Sequence, residues 1–333
     1  GELGSQHTTA LSLVVDGSGL YYDARQPSDL ERILNEHDFQ SDPRLLQAAA
    51  GLLRVLRQLR ISKYNGGSLH EVSAILGPQL KRRVLVLGQV EDDASIRYGL
   101  AEGWTNRRLI ELAKAENPGA EIIYKPHPDV VQGFRSAPST VEELNRICRV
   151  LTDEVVLADL FGKVDHAYTL TSLSGFEALL HGLSVTVVGA PFYAGWGLTD
   201  DRQAIPRRRR QLSLVELFCA AYLIYPRYLA NLDDPVLGCL ASMLRVVALR
   251  RQRINGLVTP ALVAKRPNWF ATSAYWPVLL RADCLPALEA TFGKKLVSLL
   301  PVQKILGICR GLAYQEAVAY FLVGRLGQSA AFG

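Results

Sequence analysis

The sequence predicts an α/β fold: a doubly wound, Rossmann-like parallel sheet with an α-helical C-terminal extension. Three observations carry this. From about Lys81 to Val188 the chain repeats strand, loop and helix. The run Arg83–Gly88 (RVLVLG) is apolar with little alternation, as a strand buried on both faces of a parallel sheet requires. Polar residues cluster just after each strand, at the edge where such sheets bind ligands.

Taken in order, Leu11–Asp16 (LSLVVD) reads as a short apolar strand closed by Gly17-Ser18-Gly19. Ser28 followed three residues later by Glu31 is a capping-box pattern, so a helix is expected from Asp29 to about Asn35. Pro43–Leu59 repeats apolar residues at i, i+3, i+4 and i+7 and reads as an amphipathic helix, ending before the loop ISKYNGGS. After strand Arg83–Gly88 come the acidic segment GQVEDDASIRYG, a helix Asn106–Ala115 and a strand Glu121–Tyr124 that runs into KPHPD. A helix Thr140–Val150, a turn Leu151–Phe161 and a strand His166–Leu170 follow. The stretch Thr169–Arg202 adds a Ser/Gly turn, a helix, a second strand and a Gly/aromatic loop, another α/β crossover. LSLVELFCAAYLIYPRYL is expected as a helix of about four turns, and from Asp233 onward the pattern is helical with Pro and Gly breaks.

Composition narrows the class. The 333 residues are 49% hydrophobic and 21% charged, which is globular rather than disordered or fibrous. The 37 Lys+Arg against 32 Asp+Glu leave +5, partly from the run Arg207–Arg210, too mild to imply a nucleic-acid partner. The five cysteines are scattered without a CxxC pair, so neither a zinc site nor a disulfide framework is readable and reduced buried thiols are expected. No signal-type segment opens the sequence, and no apolar run reaches the ~20 residues of a spanning helix, so a cytoplasmic location is expected. Residue 1 is Gly and the one Met is Met243, which reads as a fragment.

Several segments have side chains suited to chemistry. KPHP places Lys125 and His127 directly after a strand, where they either meet a phosphate or simply close a turn. Glu91, Asp92 and Asp93 follow another strand; a nucleophile or base there needs one acid turned inward, with Gln89 and Ser95 available to hold it, while a solvated loop is the bland alternative. TSLSGFEALLHG offers Ser172, Ser174, Gly175 and Glu177 at a helix start, as an anion site or as plain capping. Trp196 between two glycines suggests an aromatic presented on tight backbone, as lid packing or as a stacking wall for a sugar or base. His166 and His181 are read as structural, and the arginine run as a solvated loop with anionic lipid or polysaccharide as its alternative partner.

Together, GQVEDDASIRYG, YKPHPDV, TSLSGFEALLHG and PFYAGWGLTDDR, preceded by ISKYN and LSLVVDGSGLYYDARQPSDLE, resemble the KpsC/LipA-type capsule polysaccharide β-Kdo transferases over about Leu11–Tyr228. The resemblance implies a GT-B-type, two-Rossmann glycosyltransferase, cytoplasmic and peripheral to the inner membrane. Its donor would be CMP-Kdo and its acceptor lysophosphatidylglycerol or the Kdo already on it, with capsule assembly proteins as partners and no nucleic acid. The implied reaction retains configuration through a Kdo–enzyme adduct, with Asp93 of Gln89-x-x-x-Asp93-x-Ser95 as nucleophile. His127, with Lys125, would handle the donor phosphate; Ser172, Ser174, Gly175 and Glu177 would hold ribose and phosphate; Lys63, Asn65 and Trp196 complete the substrate-binding set. No metal and no cofactor beyond the donor are implied. The expected division is 1–80 as the remnant of a first Rossmann half plus interdomain segment, 81–230 as the nucleotide-sugar domain and 231–333 as a helical extension. The family's acid/base would lie upstream of LSLVVD, beyond Gly1, and full-length members often hold two modules where one is recognisable. Two competing readings are a truncated, non-catalytic component of the capsule machinery and another CMP-sugar transferase such as a sialyltransferase.

Overall fold

The computed structural model describes residues 11–62, 72–135 and 138–254. Lys63, Asn65 and the helical stretches expected after residue 254 lie outside the described residues. Two compact units are present: one takes Val15–Ser41 and Gly67–Ala221, the other Gly1–Val14, Asp42–Gly66 and Tyr222–Gly333 as far as they are described.

In chain order the elements are β1 (Ser12–Leu13), α1 (Asp29–Glu36), α2 (Pro43–Gln58), α3 (Val72–Leu76), β2 (Arg83–Leu87), α4 (Ala94–Gly99) and α5 (Asn106–Glu116). Then come β3 (Glu121–Lys125), α6 (Pro128–Val131), α7 (Val141–Asn145), β4 (Arg149–Val150), α8 (Leu157–Phe161), β5 (His166–Thr169) and α9 (Leu173–Leu180). The described chain closes with β6 (Ser184–Val187), β7 (Asp200–Asp201), α10 (Leu214–Cys219), β8 (Arg227–Tyr228) and α11 (Pro235–Ile254).

The larger unit is built on a six-stranded sheet of order β4-β3-β2-β5-β6-β7, parallel at every pairing. All five residues of β2 are buried, as its unbroken apolar run requires of a strand covered on both faces. One core face joins Val84 and Val86 of β2 to Ile122 and Tyr124 of β3, Tyr168 of β5 and Leu109, Ile110 and Ala113 of α5. Helix starts follow local chemistry: Ser28 accepts from the Glu31 amide to open α1, and Thr140 with Glu143 closes a full capping box on α7. In the other unit, β1 pairs antiparallel with β8, and α2 packs with α11. Among the described residues no helix is long and apolar enough to cross a membrane.

Three expectations need correction. The helix expected over Thr140–Val150 stops at Asn145, because Arg149 and Val150 pair with β3 and the Asn145 side chain accepts from the Val150 amide at 3.1 Å. The turn expected over Leu151–Phe161 contains α8, whose Leu157, Leu160 and Phe161 are buried. The four-turn helix after Arg210 is the short α10 followed by one π-helical turn, Ala220–Ile224; Pro226 then leads into β8. Of the cysteines, Cys219 and Cys239 are buried and Cys148 is half-buried, none of the three in a disulfide, while Cys284 and Cys309 lie outside the described residues.

Candidate active site

Strand order reverses between β2 and β5: β3 and β4 lie to one side of β2, and β5, β6 and β7 to the other. Loops leaving the two strands therefore diverge and open a crevice at their carboxyl ends. Gln89 enters it from β2 and Thr171 from β5.

Gln89 is held twice. The Asn106 side chain pairs with its backbone, accepting from the Gln89 amide at 3.0 Å and donating to the Gln89 carbonyl at 2.8 Å. Its own amide, 6% exposed, donates through Nε2 to Ser95 Oγ at 2.7 Å and Thr171 Oγ1 at 3.0 Å. Gln89 Oε1 in turn accepts from the Thr171 amide at 3.2 Å. The Thr171 hydroxyl proton has two acceptors at 3.2 Å, Gln89 Oε1 and Ser95 Oγ.

This network ends on Asp93, which caps α4. Its Oδ1 accepts from the Ser95 amide at 2.8 Å and from Ser95 Oγ at 2.6 Å. Oδ2 has no hydrogen bond among the described residues, and the side chain is exposed. The carboxylate is thus tethered by one oxygen and open at the other. Its two neighbours are committed elsewhere: Glu91 Oε1 accepts from the Asn106 amide (2.8 Å) and Nδ2 (3.0 Å), and Asp92 pairs with Arg135 at 3.1 Å. Three adjacent acids therefore have three different environments. The short helix α4, which Asp93 caps and which follows all three acids, went unread because ASIRYG carries no apolar periodicity.

Tyr21 also belongs here. Burial, then the charges of Tyr22 and Asp93, push its phenol above the ordinary range, and its ring meets Tyr22 and Phe192 edge-on at 5.5 and 5.8 Å. Nothing in LYYDARQ marked it in advance.

At the end of β3, Lys125 Nζ donates to the carbonyls of Leu151 (3.3 Å) and Asp153 (3.0 Å), and burial lowers its pKa. It braces the segment after β4 through these two carbonyls. His127 opens α6: Nδ1 accepts from the Asp129 amide at 3.2 Å, so the neutral ring carries its proton on Nε2 as a donor. Pro128 occupies the first helical position, where its missing N–H costs nothing.

At the start of α9, Ser172 Oγ accepts from the Ser174 amide and the Ser172 carbonyl accepts from the Gly175 amide, so Ser172 caps the helix. Ser174 and Glu177 are buried at 8% and 7% exposure. Gly175 is explained by packing: a Cβ there would collide with the Tyr193 hydroxyl and stand 2.7 Å from Thr169 Cγ2. That hydroxyl donates to the Ser172 carbonyl at 2.5 Å. The backbone of His181 caps the end of α9, and the His166 ring bridges Ser184 and Thr186.

The Gly/aromatic loop is tight, with Gly195 and Gly197 at φ +83° and +78°, but Trp196 is fully buried and donates from Nε1 to the Phe192 carbonyl at 2.7 Å. It is core, and the stacking-wall alternative is overturned. The arginine run is likewise no solvated loop. Arg208, its side chain 2% exposed, bonds Glu31 at 2.9 Å and reaches the carbonyls of Ala190, Pro191 and Ala194; Arg207 also pairs with Glu31, and Arg210 donates to the His37 carbonyl.

Comparison with known proteins agrees with this anatomy. A family model described as "Capsule polysaccharide biosynthesis protein" matches residues 43–228. The chain is 49% identical over 226 residues to lipopolysaccharide-processing protein LpsZ of Rhizobium meliloti, covering 68% of this chain and 51% of LpsZ. It is 44% identical over 228 residues to capsule polysaccharide modification protein LipA of Neisseria meningitidis serogroup B, covering 68% of this chain and 32% of LipA. It thus spans about half of one curated relative and a third of the other. Among solved structures, the β-Kdo 2,4 transferase of Thermosulfurimonas dismutans KpsC superposes with a TM-score of 0.64 at 40% identity, over 71% of this chain and 73% of that one. The β-Kdo 2,7 transferase of the same KpsC gives 0.58 at 36%, over 72% and 74%. By family model, sequence and fold, the chain belongs to the capsule polysaccharide biosynthesis family that includes KpsC and LipA.

Proposed function

We propose that this chain is a retaining β-Kdo transferase module, moving Kdo from CMP-Kdo to a phospholipid-linked Kdo acceptor during synthesis of the capsule linker at the cytoplasmic face of the inner membrane. Kdo transferases among its structural neighbours support glycosyl transfer as the reaction class. The observation that carries the finer reading is Asp93: one oxygen tethered by Ser95, the other open, at the strand-order reversal of the sheet.

In the first step Asp93 Oδ2 attacks the anomeric carbon of Kdo, and the bond to the CMP phosphate oxygen breaks with its electron pair leaving on CMP. Charge then develops on the phosphate, and the Nε2–H of His127 and the start of α9 beside Ser172 are the donors that meet it. In the second step an acceptor hydroxyl attacks the same carbon from the vacated side and loses its proton to a base. The Asp93 carboxylate departs, and two inversions give net retention. Gln89 and Thr171 hold Ser95, and through it the attacking carboxylate.

The test is incubation of the chain with CMP-Kdo and a synthetic Kdo-lipid acceptor, read by mass spectrometry of lipid and intact protein. Addition of one Kdo to the acceptor, and a Kdo adduct on the protein when acceptor is omitted, are expected. Intact CMP-Kdo after prolonged incubation with protein that demonstrably binds CMP would favour a non-catalytic component of the capsule machinery.

A further inference from the structure

Asp93 caps one end of α4, and the other end carries an arginine that the mechanism above leaves unused. The ring of Tyr98, in the last turn of α4, lies against the Arg25 guanidinium, whose central carbon stands 3.8 Å from the ring centroid. Asp23, itself buried, grips the same group by its edge: Oδ1 accepts from Arg25 Nε at 2.9 Å and from the Arg25 amide at 3.1 Å, and Oδ2 accepts from Nη2 at 2.6 Å. An arginine fixed by one face and one edge has little rotamer freedom left to lose on binding. Its side chain is nevertheless 63% exposed. Asp23 takes two of the five N–H donors, and the other three, on Nη1 and Nη2, have no hydrogen-bond partner among the described residues. Two of those three run parallel at the outer end of the fork, the geometry that grips both oxygens of a carboxylate or a phosphate.

The clamp does not cancel the charge. Asp23 also feels Arg207, which donates to the Ala24 carbonyl at 2.6 Å and, with Arg208, pairs with Glu31. Three cations share two buried carboxylates, and Arg25 is the most exposed of the three. Packing brings it beside the reaction. Gly99, the last residue of α4, lets Thr171 and the Tyr22–Ala24 segment close on the helix: a Cβ there would stand 3.4 Å from Thr171 Cγ2 and 3.9 Å from Ala24 Cβ and the Tyr22 carbonyl oxygen. Thr171 is the residue that meets Gln89 and Ser95 behind Asp93.

We propose that Arg25, clamped by Asp23 and stacked on Tyr98, binds an oxyanion of the incoming acceptor. The assignment to the acceptor rests on the Kdo-transferase reading above. The donor's carboxylate is one bond from the carbon that Asp93 attacks, so it stays with Asp93, whereas Tyr98 lies about 7.5 Å of helix rise beyond that residue. The anion that reaches Arg25 then belongs to the second substrate. A phospholipid-linked Kdo has two to offer, the sugar carboxylate and the lipid phosphate, and the same fork fits either.

Titration of the full chain followed by NMR separates these sources. The probes are the methyl β-glycoside of Kdo, its neutral methyl ester, and glycerol 3-phosphate in place of the lipid headgroup. If the sugar carboxylate is the ligand, wild type should bind the glycoside about five- to tenfold more tightly than the ester; if the phosphate is, glycerol 3-phosphate should bind and the two sugars should match. Arg25→Ala should abolish the preferred anion's advantage and leave the ester unchanged. Because that variant strips buried Asp23 of its partner, Arg25→Lys is the second test: it keeps the charge beside Asp23 but loses the fork, and should weaken the anion about threefold or more at an unchanged melting temperature. Tyr98→Leu, which keeps the charge and removes the stacking face, should weaken it about threefold. An anion preference that survives undiminished in folded Arg25→Lys and Tyr98→Leu, or none in wild type, would overturn the site. Neither result depends on turnover: absence of transfer with this binding pattern intact removes the transferase reading alone, and transfer without the pattern removes the site alone.

Discussion

Gln89 and Thr171 face each other across the ends of β2 and β5, with Nε2 of one 3.0 Å from Oγ1 of the other and the Thr171 amide returning a bond to Gln89 Oε1 at 3.2 Å. The pair ties together the two strands between which the chain reverses its order. It also sets the position of Ser95, and Ser95 sets the rotamer of Asp93. Gln89→Ala should lower the turnover number by at least tenfold with CMP affinity changed less than threefold, and cost about 1–3 kcal/mol in urea denaturation through the donors left unpaired. Equal losses in turnover and affinity would show that the pair serves general folding rather than the carboxylate.

Asp93→Asn keeps an oxygen for the two Ser95 donors and removes only the nucleophilic charge. Transfer should fall by several orders of magnitude with CMP binding within a few-fold, as read by product mass spectrometry and calorimetry. Asp92→Asn, which loses only the exposed pair with Arg135, should retain most activity. Unchanged turnover in Asp93→Asn would move the nucleophile elsewhere.

His127→Ala removes the Nε2–H donor and the acceptor for the Asp129 amide. CMP affinity should fall about tenfold, roughly 1.4 kcal/mol, and the transfer rate by more, because the phosphate gains charge as the bond breaks. His127→Asn, which keeps a donor, should recover part of the loss.

Arg208→Met breaks a buried ion pair from one side and strips donors from the carbonyls of Ala190, Pro191 and Ala194. A loss of about 3–5 kcal/mol in unfolding free energy is expected, against less than about 0.5 kcal/mol for the exposed Arg209→Ala.

His166 gives a pH signature. Burial, and secondarily Arg82, hold its imidazole below the ordinary 6.5, and the neutral ring bridges Ser184 Oγ at 2.6 Å and Thr186 Oγ1 at 2.8 Å. The unfolded chain therefore binds the proton more readily. The contribution is whole above the unfolded value and is lost as pH falls through and below it. Between about pH 7.5 and pH 5, the wild-type urea midpoint should drop more than that of His166→Asn.

Much of this molecule was legible without coordinates. RVLVLG had to be a doubly covered strand because an unbroken apolar run has no face to give to water, and β2 is the buried centre of the sheet. Ser28 with Glu31, and Pro43–Gln58, were readable because caps and amphipathic stripes are local properties. The parallel alternation placed polar residues at one sheet edge, and spacing within seven residues grouped Gln89, Asp93 and Ser95.

Only the tertiary structure decided which of those residues meet. Thr171 and Asn106, at sequence separations of 82 and 17 from Gln89, join the network through strand pairing and helix placement, which no local pattern encodes. Burial was also beyond the sequence: Trp196 and Arg208 carry surface-like chemistry, yet the first is core and the second a buried clamp on Glu31. Helix α7 stopped early because pairing Arg149 and Val150 with β3 outweighed helical propensity. The sequence by itself determined the strands, the caps and the chemical groups at the sheet edge, because these depend on neighbours along the chain. The tertiary structure decided which carboxylate is tethered, which arginine is enclosed and which tryptophan is core, because these depend on neighbours in space.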